Sequence, residues 1–326
     1  MKSRVVSGMR PTGKLHVGHY HGVLENWVKI QDDFECFFFV ADWHSLTTEY
    51  ADTSGIRDSI REMVLDWVAF GLDPAKCVIF RQSMVPHHSE LNLILSMITP
   101  VSWLERCPTY KEMQDNLETK DLSTFGFLGY PVLMAADIIL YKATRVPVGH
   151  DQLPHLEVTR EIARRFNHLY GNVFPEPEAL LTQTPKLLGL DGRKMSKSYG
   201  NSIYLSDTAE ETSKKVLSMM TDPARVRRND PGDPDICVAF NLHRIYVPQE
   251  KLDEIIPACK AATIGCVECK KNLVACMNER LAPFRAKRDE LAANPEKVDE
   301  ILADGSARAS QISDAVMAEV RAALKF

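Results

Sequence analysis

No stretch of this 326-residue chain is both long and apolar enough to span a bilayer. The most apolar run, Phe125 to Tyr141, is interrupted by Pro131 and Asp137 and falls short of the roughly 20 residues that a membrane helix needs. The opening MKSRVVSGMR lacks the apolar core of a secretory signal, so a cytoplasmic protein with no membrane partner is expected. Charge of one sign is also missing. Against 39 Lys and Arg stand 44 Asp and Glu, a net charge of −5. That balance excludes a simple polycation and gives no reason to expect a DNA partner. Any nucleic acid has to be held by local basic patches. There is no internal repeat or low-complexity tract, and 45% hydrophobic residues is too many for a disordered chain. Neither GxxxxGK[ST] nor GxGxxG occurs, so the common nucleotide-binding loops find no support.

The length suits about two domains. In the first half, short β-rich runs alternate with helical stretches. Arg4 to Ser7 reads as a strand ending at Gly8, CFFFVA (Cys36 to Ala41) as a buried strand and CVIF (Cys77 to Phe80) as a third. Between the last two, Ile56, Ile60, Met63, Val64, Trp67 and Val68 recur at helical spacing, and Gly71 ends the helix. Val132 to Tyr141 reads as a helix and Val146 to Gly149 as a fourth strand. This rhythm predicts an α/β fold with a doubly wound parallel sheet. After about Asn201 strands become scarce. Glu210 to Met220, Pro248 to Lys260, Leu273 to Leu291 and Ser306 to Leu324 read as helices, the third kinked or broken at Pro283. Thr221 to Asp235, rich in proline and charge, reads as a loop. The expected division is an α/β domain over 1–200 and a mostly helical one over 201–326.

Two segments stand out chemically. PTGKLHVGHYHG (Pro11 to Gly22) follows the first strand and puts His16, Gly18 and His19 where a helix would start. Helix N-termini present free N–H groups and the positive end of the dipole to phosphate. A glycine there removes a side chain that would block the nucleotide. Imidazoles three residues apart share one helical face. DGRKMSKSYGN (Asp191 to Asn201) carries Lys194 and Lys197 among Gly192, Ser196, Ser198 and Gly200. Such a basic loop can close over a triphosphate and stabilise charge on its leaving group.

HVGH followed far downstream by KMSKS resembles the paired signatures of class I aminoacyl-tRNA synthetases. Within that class, GYPVLMAADIILYKATRVPVGHDQ (Gly129 to Gln152), SGMRPTG (Ser7 to Gly13), VADWHSLTT (Val40 to Thr48) and VTREIARRF (Val158 to Phe166) are similar to segments of the bacterial tryptophanyl-tRNA synthetases. The resemblance covers nearly the whole chain. It implies a Rossmann-like catalytic domain with a dimerisation insertion at roughly 82–145, and a helical anticodon-recognition domain. It further implies a cytoplasmic homodimer that uses L-tryptophan, ATP with Mg²⁺, and tRNA(Trp). A tyrosyl-tRNA synthetase, or a catalytically idle tRNA-binding iron–sulfur paralogue, are the alternatives. Nucleotidylyltransferases share HxGH but lack such a second domain.

Carried onto this sequence, the resemblance assigns catalysis to His16, Gly18, His19, Lys194 and Lys197. It assigns ATP to Arg10, Pro11, Thr12, Gly18, His19, Gly149, His150, Asp151, Leu187, Lys194, Met195, Ser196, Lys197 and Ser198. Tryptophan falls to Asp137, Tyr130, Met134, Gln152 and His44. An acceptor-only carboxylate at Asp137 suits an indole, which has one N–H donor and no acceptor. Two positions depart from the usual pattern: His19 stands where many relatives carry Asn, and His150 where Glu is usual.

Eight cysteines are many for a cytosolic chain. Cys237, Cys259, Cys266 and Cys269 are separated by 21, 6 and 2 residues. Four thiolates with a C-x2-C pair make a full tetrahedral set for Zn²⁺ or a [4Fe–4S] cluster, and spacing alone does not choose. The resemblance favours [4Fe–4S], which a subgroup of these synthetases binds through C-x6-C-x2-C. Arg225, Arg227, Arg228, Lys270 and Lys271 flank the set and suit RNA.

Overall fold

The computed structural model describes residues 2–107, 122–181 and 187–326. Contacts divide the chain into two units. One comprises Met1–Gly13, Asn26–Gln183 and Asn294–Phe326, the other Lys14–Glu25 and Thr184–Ala293. This line differs from a cut at residue 200: the HVGH and KMSKS segments pack with the helical unit, and the end of the chain packs with the sheet.

The first unit is built on five parallel strands, β1 (Arg4–Met9), β2 (Glu35–Val40), β3 (Val78–Arg81), β4 (Arg145–Val148) and β5 (Glu178–Leu181), in the order β3-β2-β1-β4-β5. The four strands expected from sequence are there. β5 was not anticipated, since EALL on the sheet edge is half-exposed and carries no alternation. After Glu35, β2 is apolar through Val40 because both its faces are covered. Gly8 pairs with Phe39, and a Cβ at Gly8 would stand 2.4 Å from that ring, so only glycine lets the aromatic lie across β1. Strand order reverses between β1 and β4, the switch point outside whose carboxyl ends ligands of open α/β sheets bind. Arg10–Thr12 follow β1 there, and Gly149–Asp151 follow β4.

Helices α1 (Asp42–Glu49), α2 (Ile56–Ala69), α3 (His87–Ser96), α4 (Phe125–Ile139) and α5 (Leu153–Tyr170) accompany the strands. α2 buries Ile60, Met63, Val64, Trp67 and Val68, the stripe read from sequence. α4 starts seven residues before the expected Val132 because Thr124 caps it, its hydroxyl accepting from the Phe127 N–H, and it carries Pro131 inside. The last helix, Glu296–Leu324, belongs to this unit and begins ten residues before the expected Ser306. It runs against β3, where a Cβ at Gly305 would lie 1.8 Å from the Ile79 carbonyl oxygen. Arg321 clamps it to α3 through both oxygens of Glu90, at 2.8 and 2.6 Å.

The second unit is helical: α6 (Ala209–Ser218), α7 (Val238–Tyr246), α8 (Gln249–Lys260) and α9 (Cys266–Ala292), joined by a short turn of helix at Val17–His19 that widens into a π-turn at Tyr20–Leu24. α9 begins at Cys266 rather than Leu273 and passes through Pro283 without breaking, which corrects the expectation. Side chains tie it down on both sides of the proline. Leu281 is buried, and Arg285 donates to Thr212 Oγ1 at 2.8 Å and Asn278 Oδ1 at 2.9 Å. Thr221–Asp235 forms neither helix nor strand, as read. Among the described residues no helix is long and apolar enough to cross a membrane.

Candidate active site

In the sheet unit α4 buries Asp137 almost completely, at 1% exposure. Its Oδ1 accepts from His88 Nδ1 at 2.6 Å and Gln82 Nε2 at 2.8 Å, and its Oδ2 from His44 Nε2 at 2.9 Å and Gln82 Nε2 at 3.0 Å. Burial alone would raise the carboxyl pKa, but bonds from His44 and His88 outweigh it and hold the group below its usual range. The site is therefore an ionised acceptor in an apolar wall. His44 comes from α1 beyond β2, and Gln82 from the turn after β3. The same turn is fixed by Asp42, which accepts from Arg81 Nε at 2.6 Å and the Ser83 N–H at 3.0 Å.

Tyr130, half-buried about two turns of α4 earlier, shares a 2.6 Å hydrogen bond with His155 Nε2 of α5. Burial pushes the His155 imidazole down to about 4, so it is neutral. Arg10 is close enough to Tyr130 to interact electrostatically, and its Nη1 lies 3.5 Å from Thr48 Oγ1. Met134 and Gln152 are half-buried, and Gln152 donates to Asp151 Oδ2 at 2.9 Å. His150 is exposed after β4. His88, Gln82, Tyr141 and His155 are polar site residues that the sequence reading missed. Its one hint was the pair of histidines in QSMVPHHSEL.

In the helical unit the two signature segments meet. The Val17 N–H donates to Ile203 O at 3.0 Å, the Leu205 N–H to Leu15 O at 2.9 Å, and His16 bridges Tyr204 in antiparallel fashion. HVGH is thus paired with the residues just after KMSKS. Leu187 to Met195 folds back on itself, with the Met195 N–H on Leu187 O at 3.0 Å and Leu188 bridged to Lys194. Asn201, buried and not anticipated, locks the loop. It accepts from the Ser196 N–H at 2.9 Å and donates to Asp191 Oδ1 at 2.7 Å and Lys194 O at 3.2 Å. Met195 and Leu187 are buried beneath it, while Lys194 and Ser198 face outward and Ser196 and Lys197 are half-buried. Gly18 does what a glycine is needed for: a Cβ there would sit 2.9 Å from the His16 ring.

The His16 and His19 rings lie 3.7 Å apart, and His19 Nδ1 accepts from the His16 backbone N–H at 3.2 Å. This leaves the His19 proton on Nε2. Burial first, then Lys197 and Lys194 for His16, lowers that imidazole to about 4. Burial, His16 and the two lysines lower His19 to about 3. Both rings act as neutral dipoles, and the positive charge beside them comes from the ammonium groups. Stability follows. The unfolded chain protonates these histidines and His155 near pH 6.5, whereas the folded one refuses protons down to about 3 to 4. Their contribution is complete above pH 6.5 and is lost as pH falls through that window. The urea midpoint is expected to drop between pH 7 and pH 4.5; a midpoint that holds or rises over that range contradicts the burial described.

The four cysteines all lie in the helical unit: Cys237 caps α7, Cys259 ends α8, and Cys266 and Cys269 occupy the first turn of α9. Burial raises the thiols of Cys237, Cys259 and Cys269, the last to about 12, and each is raised further by neighbouring cysteines of the same set. Cys269 Sγ lies 3.3 Å from His243 Nε2, and Arg225 Nη1 3.9 Å from Cys259 Sγ. Among the described residues, no group of three or more His, Cys, Asp or Glu side chains stands ready to hold a metal ion. Two of the five basic residues read as an RNA face are structural instead. Lys270 is buried and donates to Met219 O at 3.1 Å and to Leu217 O. Arg225 donates to Arg228 O at 2.7 Å and Ile264 O at 2.9 Å. Arg227, Arg228 and Lys271 remain exposed.

A parallel sheet with a switch in strand order, a buried acceptor on a helix and a paired imidazole–lysine segment are features of the class I synthetase type. The family model for class I tRNA synthetases (W and Y) matches residues 1–282, and the chain belongs to that family. Relatives named tryptophan–tRNA ligase are 54% identical in Thermotoga maritima, over 99% of both chains, and 46% identical in Aquifex aeolicus, over 99% of this chain and 100% of that one. The crystal structure of tryptophanyl-tRNA synthetase from Campylobacter jejuni complexed with ADP and tryptophan superposes with a TM-score of 0.90 at 32% identity, covering 99% of this chain and 100% of that one. Within the family the chain stands with the bacterial tryptophan–tRNA ligases.

Proposed function

We propose that this tryptophan–tRNA ligase activates L-tryptophan at Asp137 and handles the ATP phosphates with the paired HVGH and KMSKS segments. The single observation that carries the reading is the backbone pairing of Val17 with Ile203, which sets Lys194 and Lys197 beside His16 and His19. Asp137 takes the indole N–H; His44, Tyr130 and Met134 line the pocket and Gln152 takes the amino group. Arg10, Pro11, Thr12, Gly18, Gly149, His150, Asp151, Leu187, Met195, Ser196 and Ser198 are the further residues assigned to ATP in this reading. The tryptophan carboxylate attacks the α-phosphate in line, and pyrophosphate leaves. Two anions react, so positioning and charge neutralisation carry the step. Neutral His16 and His19 donate to phosphate oxygens, while Lys194 and Lys197 follow the departing charge. Mg²⁺, when bound, adds neutralisation of the pyrophosphate oxygens. A hydroxyl of the 3′-terminal ribose of tRNA(Trp) then attacks the tryptophanyl carbonyl, forming the ester as the mixed anhydride breaks and AMP leaves. No protein nucleophile is required.

Cys237, Cys259, Cys266 and Cys269 offer a complete thiolate set for a [4Fe–4S] cluster, with Zn²⁺ the alternative. Supporting this, a Cβ at Gly232 would stand 2.6 Å from Cys259 Sγ, so glycine keeps room there. The group would staple the anticodon-recognition region over 201–326, with Arg227, Arg228 and Lys271 toward RNA. Exposed Leu93, Met97, Val101 and Phe125 support a dimerisation region over roughly 82–145 and with it a homodimer; residues 108–121 of it lie outside the described residues.

ATP–pyrophosphate exchange across the standard amino acids is expected to depend on tryptophan alone. Exchange driven by tyrosine, or by none, overturns the reading. In parallel, iron and sulfide with visible absorbance in anaerobically purified protein are expected, against zinc or no metal.

A further inference from the structure

Asp137 is held by more than the substrate needs. Gln82 cannot turn away from it, because its Oε1 accepts from the Trp43 N–H at 3.1 Å and so directs Nε2 at the carboxylate. His88 is 0% exposed on α3, and no substrate reaches it. Its Nδ1 faces an acceptor-only carboxylate at 2.6 Å, so that nitrogen carries hydrogen. Its Nε2 faces the hydroxyl of Tyr141 at 2.7 Å, also 0% exposed. Burial raises the Tyr141 phenol well above its ordinary value, so it keeps its proton. The line Tyr141–His88–Asp137 thus runs from a buried hydroxyl to the carboxylate, and His44, with 11% of its side chain exposed, stands on the open side.

We propose that Tyr141 and His88 are a positioning pair: the Tyr141 hydroxyl fixes the hydrogen of His88 on Nδ1, and His88 in turn fixes the Asp137 carboxylate as an acceptor for the indole N–H. The inference rests on the reading that Asp137 receives that N–H. Without the hydroxyl, a neutral His88 is free to carry its hydrogen on Nε2 and to turn a lone pair toward Asp137. The carboxylate then rotates away or takes up a proton, and a carboxylic O–H pointing at the indole N–H is the wrong partner. Neither residue touches substrate. Their effect falls on tryptophan recognition, not on ATP.

The test compares L-tryptophan with β-(3-benzothienyl)alanine, in which sulfur replaces the indole N–H, in pyrophosphate exchange. The wild type is expected to prefer tryptophan by about tenfold or more in kcat/KM, the cost of leaving a buried acceptor unpaired. Tyr141→Phe and His88→Leu are expected to cut that preference by about tenfold, through KM for tryptophan more than kcat, with KM for ATP unchanged. His88→Asn, whose amide N–H stands close to where the Nδ1–H was, is expected to restore much of the preference. In that background Tyr141→Phe should have no further effect, since no tautomer is left to fix. A wild type without preference overturns the role of Asp137 itself. A preference that survives Tyr141→Phe and His88→Leu overturns the positioning pair, as does a fall in both substrates together that His88→Asn does not relieve.

Discussion

Replacing Lys197 by alanine is expected to slow formation of tryptophanyl-adenylate by about a hundred- to a thousandfold and to leave tryptophan binding nearly intact. The size is that of removing one preorganised group aimed at developing charge. Burial and the lysines themselves keep the two imidazoles neutral. They donate hydrogen bonds but bring no charge, so the ammonium groups of Lys194 and Lys197 supply it in this segment. In the proposed reading tryptophan is held around Asp137 and does not need them. Single-turnover adenylate formation reads the first effect and equilibrium binding of tryptophan the second. Equal losses in both, or an unchanged single turnover, remove Lys197 from the chemical step. Lys194→Ala follows the same logic.

Asp137→Ala is expected to abolish tryptophan-dependent exchange and to cost about 3–5 kcal/mol of folding stability, the range for removing one partner from a buried charged set. The loss has a stated origin. Three side chains, His44, His88 and Gln82, donate to this one carboxylate, and two of them are fully buried. With the acceptor gone, three donors face an apolar cavity. Urea unfolding of the variant gives the stability and the exchange assay the activity. A variant as stable as the wild type would show that the donors had found other partners.

Strands and the two signature segments were legible in the sequence because each is local. CFFFVA is a strand buried on both faces, and HVGH and KMSKS are contiguous runs of chemistry-bearing residues. Asp137 was legible as a buried acid from its flanks, MAA and IIL. Its companions were not. His88 and Gln82 reach it from segments about fifty residues away, and beyond the His87–His88 pair nothing in their own neighbourhoods marks them. Asn201 was quoted as the end of a motif, yet its role as the lock on the loop depends on three bonds that only the fold brings together. Residues 14–25 and 294–326 join units distant in sequence through non-local packing, which periodicity does not register. Pro283 misled in the opposite direction. A local rule predicted a break, and the tertiary bonds of Arg285 hold the helix through it.

The helix Glu296–Leu324 lies on β3 with Gly305 against the Ile79 backbone, and it buries Val316, Met317 and Val320 there. During synthesis β3 leaves the ribosome about two hundred residues before the helix that covers it. Until that helix is made, the apolar flank of β3 has nothing to bury it, so the sheet unit closes only after the intervening helical unit has been synthesised.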